Sequence, residues 1–369
     1  MEETIGIIGV GRLGLCLALN LEKSGYAVTA VDKDQDHITK INSKTLISPE
    51  PELTQYLNAA RQLKASTNIQ TVCKPSITVI FICVPTPSLP NGAFDTSYIT
   101  SICDELIALG AAKQTTHLII NSTVMPGVCD DLQKKMTPYN YTISYNPEFI
   151  AQGSIIKDQQ YPDQVLIGAF DRNVGIIVEG IYKKMCLNSP RYSHMTPTEA
   201  EVTKIAVNCF LTTKIAFANA IGDLTKTLGG NENNVLEAIG SDQRIGHKFL
   251  GYGYGYGGPC LPRDNRALGV AASEAGLQLP LSTATDLSNQ LHTEFQSKAL
   301  KQTTAKNIPI IFENLAYKSH SNIIEESQKL AVATSIAKDG YTVTLKDTEE
   351  VLSQIKEIHG SLFSYITRS

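Results

Sequence analysis

The reading of this chain turns on residues 4–14, Thr4-Ile5-Gly6-Ile7-Ile8-Gly9-Val10-Gly11-Arg12-Leu13-Gly14. A short β-branched run leads into glycines spaced G-x-G-x-x-G, and helical periodicity follows. Asp32 stands eighteen residues after Gly14, at the end of the next β-branched run. Each part has a mechanical reason. The first glycine permits a tight turn, the second lets a pyrophosphate approach the backbone, and the third lets helix and strand pack closely, with the phosphates at the helix N-terminus. Asp32 would accept hydrogen bonds from a ribose with both hydroxyls free and would repel a 2′-phosphate, so the pattern selects NAD over NADP. Gly9, Val10, Gly11, Arg12, Leu13, Gly14 and Asp32 are the expected cofactor cradle. A glycine-rich turn with no ligand is the bland alternative, disfavoured because strand, helix and acid stand in register.

Outward from that stretch, β-branched runs at 5–8, 28–31, 77–84, 118–120 and 165–167 alternate with helical stretches, the pattern of a doubly wound parallel α/β sheet. Near Thr196 the pattern changes. Thr198-Glu199-Ala200-Glu201 is a capping box after Pro197, and helical character then runs to the glycines at 229–230. Further helical signal at 266–276 and 283–306 precedes strand-like runs at 308–312 and 342–345, separated by a helix at 327–339. The expected division is a Rossmann-like dinucleotide domain at 1–195, a central long-helix region at 196–300 and a short α/β unit at 301–369.

Composition narrows the function classes. At 369 residues, 42% hydrophobic and 18% charged, the chain can bury two or three cores, which excludes wholesale disorder. Lys+Arg 32 against Asp+Glu 36 leaves a net charge of −4, so no overall field concentrates nucleic acid or anionic lipid. The eight cysteines include no C-x-x-C pair, which argues against a metal site and for a reducing, cytoplasmic setting. Apolar runs such as 77–84 fall short of the ~20 residues of a membrane span, and Met1-Glu2-Glu3-Thr4 has no basic leader.

The chemistry-bearing residues are fewer. Cys260 sits in Gly257-Gly258-Pro259-Cys260-Leu261-Pro262-Arg263-Asp264, where Pro262 suits the first turn of a helix, so the thiol would feel the positive end of a helix dipole. Asp264, four residues on, would share its face. Lys204 and Asn208 are spaced i, i+4 on the long helix, a spacing that by itself favours a solvated polar face. Asn146-Pro147-Glu148-Phe149 and Ser122-Thr123-Val124-Met125-Pro126-Gly127 follow expected strands, at the sheet edge that faces a ligand crevice. The run Gly251-Tyr252-Gly253-Tyr254-Gly255-Tyr256 reads as a flexible turn unless function occupies it.

Taken together with Val84-Pro85-Thr86-Pro87 and Asp242-Gln243-Arg244-Ile245-Gly246, these motifs resemble the UDP-glucose/GDP-mannose dehydrogenase family, over most of the chain. The resemblance implies oxidation of the C6 alcohol of a nucleotide-linked hexose, UDP-glucose foremost, to the carboxylate with two NAD. It implies that Cys260, beside the nicotinamide, captures the intermediate aldehyde as a thiohemiacetal and then a thioester. Lys204 and Asn208 would stabilise oxyanion charge, Asp264 and Thr123 would position water, and Glu148 would serve in acid–base steps. Thr86, Ser122, Thr123 and Arg263 join the cofactor residues. Glu148, Phe149, Lys204, Asn208, Phe249, Leu250, Gly253, Gly257 and Lys318 are implied on the sugar nucleotide, with Arg244 crossing a homodimer interface.

Some positions depart from the family pattern. Gln152 replaces a glutamate, Arg263 a lysine and Glu325 an arginine, and the region after Ile308 is about half a full Rossmann unit. Pro259 stands where relatives acting on 2-acetamido sugars carry histidine, which points to the glucose or mannose branch. GDP-mannose oxidation, β-hydroxyacid dehydrogenation without a thiol, and sugar-nucleotide binding without turnover remain the alternatives.

Overall fold

The computed structural model describes residues 3–318 and 321–368. They form two compact units, Met1–Lys204 and Ile205–Ser369. The first is built from β1 (Thr4–Ile8), α1 (Arg12–Lys23), β2 (Ala27–Val31), α2 (Gln35–Asn42), α3 (Leu53–Ala59), β3 (Leu63–Ser66), β4 (Ile77–Ile82), α4 (Ser97–Ala108), β5 (Thr116–Ile120), α5 (Val128–Met136), β6 (Tyr141–Tyr145), α6 (Ile155–Gln160), β7 (Gln164–Ala169), α7 (Arg172–Met185) and β8 (Arg191–Met195). Helix α8 (Pro197–Thr227) begins in this unit and continues into the second.

The strands form one sheet in the order β3-β2-β1-β4-β5-β6-β7-β8. Side chains alternate across it with period two. Ile5 and Ile7 of β1 with Val79 and Phe81 of β4 feed the core under α1 and α7. Ile8, Ile80 and Ile82 feed the opposite core, under α4 and α5. The chain order reverses direction at β1 and β4, which makes their carboxyl ends the crevice of a doubly wound sheet. The expected all-parallel sheet needs one correction. β6 and β7 run antiparallel, joined by only two residue pairs, so β7 and β8 attach as a pair by the tip of β7.

The second unit continues α8 and adds α9 (Glu232–Gly240), α10 (Leu261–Glu274) and α11 (Pro280–Thr303), then β9 (Ile310–Glu313), α12 (Gln328–Lys338), β10 (Val343–Asp347), α13 (Glu349–His359) and β11 (Ser364–Thr367). The last three strands form a parallel sheet in the order β11-β10-β9. Phe312, Leu345, Ile336 and Ile355 lie in its core.

Helix α8 corrects the expectation that no apolar stretch approaches spanning length. By length and composition alone it could cross a membrane, a test that the core helix of a soluble protein also passes. Its apolarity has a local cause. In the second unit it buries Cys209, Ala216 and Ala218 on one side, while Phe210, Phe217 and Leu224 stand 64%, 47% and 55% exposed on another.

Candidate active site

The glycine-rich turn links β1 to α1. Gly9 has φ +88°, and a Cβ there would lie 2.8 Å from the Cys83 carbonyl oxygen; a Cβ on Gly14 would overlap the Gly9 carbonyl oxygen. Both glycines are demanded by the protein's own packing. Gly11 is not: a Cβ there meets nothing within 4 Å. It caps α1, whose first turn carries no acidic residue, so open space and helical N–H groups coincide. The Asp32 carboxylate accepts from the Val10 N–H at 2.9 Å and the Asp34 N–H at 3.1 Å, which fixes it beside the turn. These residues fit the phosphates and ribose of a dinucleotide. Arg12 Nη1 donates to Gln152 Oε1 at 2.6 Å, tying the turn to the loop after β6.

The loops after β4, β5 and β6 are locked together. Ser122 Oγ donates to the Val84 carbonyl at 2.6 Å, Thr86 Oγ1 to the Thr123 carbonyl at 2.7 Å, and Asn121 Nδ2 to the Asn146 carbonyl at 2.6 Å. Asn146 Nδ2 in turn reaches the Leu166 carbonyl on β7 at 2.9 Å. Thr86, Ser122 and Asn146 are buried and each donates to backbone of a neighbouring segment, so these side chains set loop geometry, while the buried Asn146 Oδ1 has no partner among the described residues. Glu148 accepts from the Tyr182 hydroxyl at 2.9 Å. Burial pushes its carboxyl above the usual range, while hydrogen bonds from Tyr182 and Asn121 and the Lys204 charge pull it down. Lys204 Nζ donates to the Glu148 carbonyl at 2.7 Å and lies 4.7 Å from the centre of the Phe149 ring.

In the second unit Cys260 caps α10, with Pro262 in the first turn, and the Asp264 N–H donates to the Cys260 carbonyl at 2.9 Å. Of the eight cysteines it is the one that is exposed. Burial pushes the thiols of Cys16 and Cys209 up to about 12 and that of Cys103 up to about 11, which keeps them protonated and inert. Asp264 is buried; it accepts from Asn208 Nδ2 at 2.6 Å, and Arg263 Nε lies 3.4 Å from its other oxygen.

The glycine–tyrosine run is tightly held. The Gly253 N–H donates to Asn219 Oδ1 at 3.0 Å, and its carbonyl accepts from Gln296 Nε2 at 2.9 Å and faces His292 Nε2 at 2.7 Å. Asn289 bonds both the N–H and the carbonyl of Tyr256 at 3.0 Å, and Tyr252 OH donates to Asp223 at 2.8 Å. Buried Asn219, Asn289 and His292, which sequence reading missed, are the side chains that hold this run. The signal available was polar residues at helix positions otherwise apolar, and it is a weak one.

The remaining expected site residues fall as follows. Leu250 is buried with Ala218 and Leu236. Phe249 is exposed with φ +62°. Gly257 lies against the Glu326 carbonyl. The Arg244 side chain is 88% exposed and pairs with Asp242 at 2.6 Å. Lys318 Nζ sits 5.7 Å from the Tyr317 ring centre, and Ser319 and His320 of the same motif lie outside the described residues. Among the described residues no group of three His, Cys, Asp or Glu could hold a metal ion.

Comparison with known proteins adds independent support. Residues 3–186 match the model of the UDP-glucose/GDP-mannose dehydrogenase family, NAD binding domain, and residues 198–291 match the central domain of that family. The UDP-glucose 6-dehydrogenase of Rickettsia conorii is 31% identical over 91% of this chain and 79% of its own length. The GDP-mannose 6-dehydrogenase of Pseudomonas aeruginosa is 28% identical over 98% of this chain and 84% of its own. Among solved structures, a UDP-glucose dehydrogenase from Pyrobaculum islandicum superposes with a TM-score of 0.89 at 26% identity, covering 99% of this chain and 86% of that one.

Proposed function

The chain belongs to the UDP-glucose/GDP-mannose dehydrogenase family, and from that premise we propose that it oxidises the C6 alcohol of a nucleotide-linked hexose, UDP-glucose foremost, to the uronic acid. The enzyme is an NAD-dependent oxidoreductase. The observation that carries the proposal is Cys260, exposed, at the start of a helix, in a chain whose other thiols are wholly or partly buried.

Two NAD in succession, held by the Gly9–Gly14 turn and Asp32, would supply the hydride acceptor for the two oxidations. The protein's residues do the rest. In the proposed sequence the first oxidation leaves an aldehyde at C6. Cys260 Sγ adds to that carbon, a carbon–sulfur bond forms, and the oxygen gains a proton to give the thiohemiacetal. Loss of the second hydride and of the hydroxyl proton leaves a thioester. Water then adds, the carbon–sulfur bond breaks, and the thiol is restored with the carboxylate product. Lys204 and Asn208 stabilise developing charge on the C6 oxygen, Asp264 and Thr123 hold the water, and Glu148 takes and returns protons. A carboxyl raised by burial suits that last task, since it exchanges protons nearer neutrality.

Phe149, Phe249, Gly253, Gly257 and Lys318 contact the sugar nucleotide in this reading, and Leu250 contributes through its backbone because its side chain is buried. A second copy of the chain supplies Arg244. The exposed stripe Phe210, Phe217, Leu224, at heptad spacing on one helix, supports pairing of two copies through α8.

The deciding experiment incubates purified protein with NAD and a panel of UDP-, GDP-, dTDP- and ADP-hexoses. The expected result is two NADH per UDP-glucose with an acidic product. Cys260→Ser should keep NAD binding and lose at least about 100-fold in acid formation. One NADH with released aldehyde from the parent enzyme, or full turnover by the serine variant, would overturn the proposal. GDP-mannose is the second substrate to test, because a relative of that name aligns over 98% of the chain.

A further inference from the structure

We propose that residues 323–327 form a strap that positions the loop carrying Cys260, and that Glu326 is the residue that fastens it. The strap lies outside both family-matched segments, 3–186 and 198–291. The role assigned to it rests on the reading of Cys260 as nucleophile.

Four observations converge. The Gly258 N–H donates to the Glu325 carbonyl at 3.1 Å. A Cβ on Gly257 would overlap the Glu326 carbonyl oxygen, and one on Gly258, whose φ is +84°, would overlap the Tyr317 ring. The two glycines before Pro259-Cys260 are thus the places where strap backbone and Tyr317 press on the loop. Glu326 has φ +52°, a left-handed conformation that a residue with a side chain adopts at a cost, so the surroundings hold it there. Its carboxylate pairs with Arg266 Nη1 at 2.8 Å, and Arg266 Nε pairs with Asp286 at 2.9 Å.

The strap is anchored on several elements. Arg266 lies on α10, less than two turns after Cys260. Asp286 also accepts from Asn265 Nδ2 at 3.1 Å and from the Tyr256 hydroxyl, so the pair belongs to a network that includes the loop itself. Next to Glu326, Ser327 Oγ donates to the Leu315 carbonyl at 2.7 Å and caps α12, and at the other end the Ile323 carbonyl accepts from the Tyr317 N–H at 2.9 Å. A lone ion pair at this exposure would contribute little; one arginine shared by two carboxylates is held more firmly. Glu326 acts on the reaction only through the loop and is a positioning residue.

The test compares Glu326→Ala, Glu326→Gln and Glu326→Asn with the parent, using two readouts independent of turnover. Hydrogen exchange reports the Gly258 amide, and iodoacetamide alkylation followed by peptide mass analysis reports the Cys260 thiol. The alanine variant should exchange at Gly258 at least tenfold faster and shift the Cys260 alkylation rate at least threefold, with NAD affinity within twofold of the parent. Glutamine, whose amide oxygen still accepts from Arg266, should stay within twofold on both readouts. Asparagine tolerates the left-handed backbone while losing the long carboxylate, and it decides the matter if the alanine chain misfolds. Unchanged exchange at Gly258, or faster exchange with unchanged alkylation, overturns the strap. If the parent turns over no nucleotide hexose, the reading of Cys260 falls while these measurements still judge the contact.

Discussion

At Glu148 burial and hydrogen bonding act in opposite directions, and burial wins. A carboxyl raised in the folded state binds its proton more tightly there than in the unfolded chain. Its contribution to stability is therefore present at low pH and is lost as pH rises through the folded value. Glu148→Gln should melt about 2 °C higher than the parent at pH 8 and equally at pH 4, by thermal unfolding at both pH values. If Glu148 carries protons as proposed, the same variant should lose the acid limb of the kcat profile. This carboxyl was legible in the sequence as a residue after a strand, Asn146-Pro147-Glu148-Phe149. Its protonation state was not, because Tyr182 and Asn121 come from distant elements. Cys260 was legible for a local reason, as glycines, a proline and a helix start all lie within eight residues.

Among the elements, the β1–α1 turn separates glycines that fold the chain from one that leaves room for a ligand. Gly14→Ala drives a methyl group into the Gly9 carbonyl and should cost roughly 1–3 kcal/mol, read by chemical denaturation. Gly11→Ala meets only open space and should stay within about 0.5 kcal/mol of the parent. Calorimetric titration of that variant should nonetheless show NAD binding at least tenfold weaker, since the methyl group stands where a phosphate must approach. Central strands announced themselves because both faces are buried, as in Ile77–Ile82. The edge strands β3, β8 and β11 escaped sequence reading because Leu63–Ser66, Arg191–Met195 and Ser364–Thr367 are exposed or half-buried along most of their length and correspondingly polar. The internal β6, Tyr141–Tyr145, was expected as the strand before Asn146, but its hydroxyls interrupt the apolar run that would have given its bounds.

For the molecule as a whole, the long helix was legible from its unbroken periodicity. Its capping pair is Thr196 with Glu199 and not the expected Thr198 with Glu201, which bonds the Gly127 and Cys129 N–H groups instead. Its exposed apolar stripe was not legible, since periodicity alone does not say which side a neighbouring element covers. Phe217→Asp should convert a dimer to a monomer while leaving circular dichroism unchanged, with mass followed by light scattering across a dilution series. A parent that is monomeric at every concentration would remove the role given to Arg244. The large sheet ends in β3 and β8, short strands whose outward groups include Lys64 and Arg191. Such rims offer no template for another chain to extend the ladder. A stripe on a single helix that meets its own copy about a two-fold axis is consumed by that meeting. If the stripe pairs two copies as proposed, growth stops at a closed pair, and the expected outcome on concentrating the protein is a dimer that seeds no filaments.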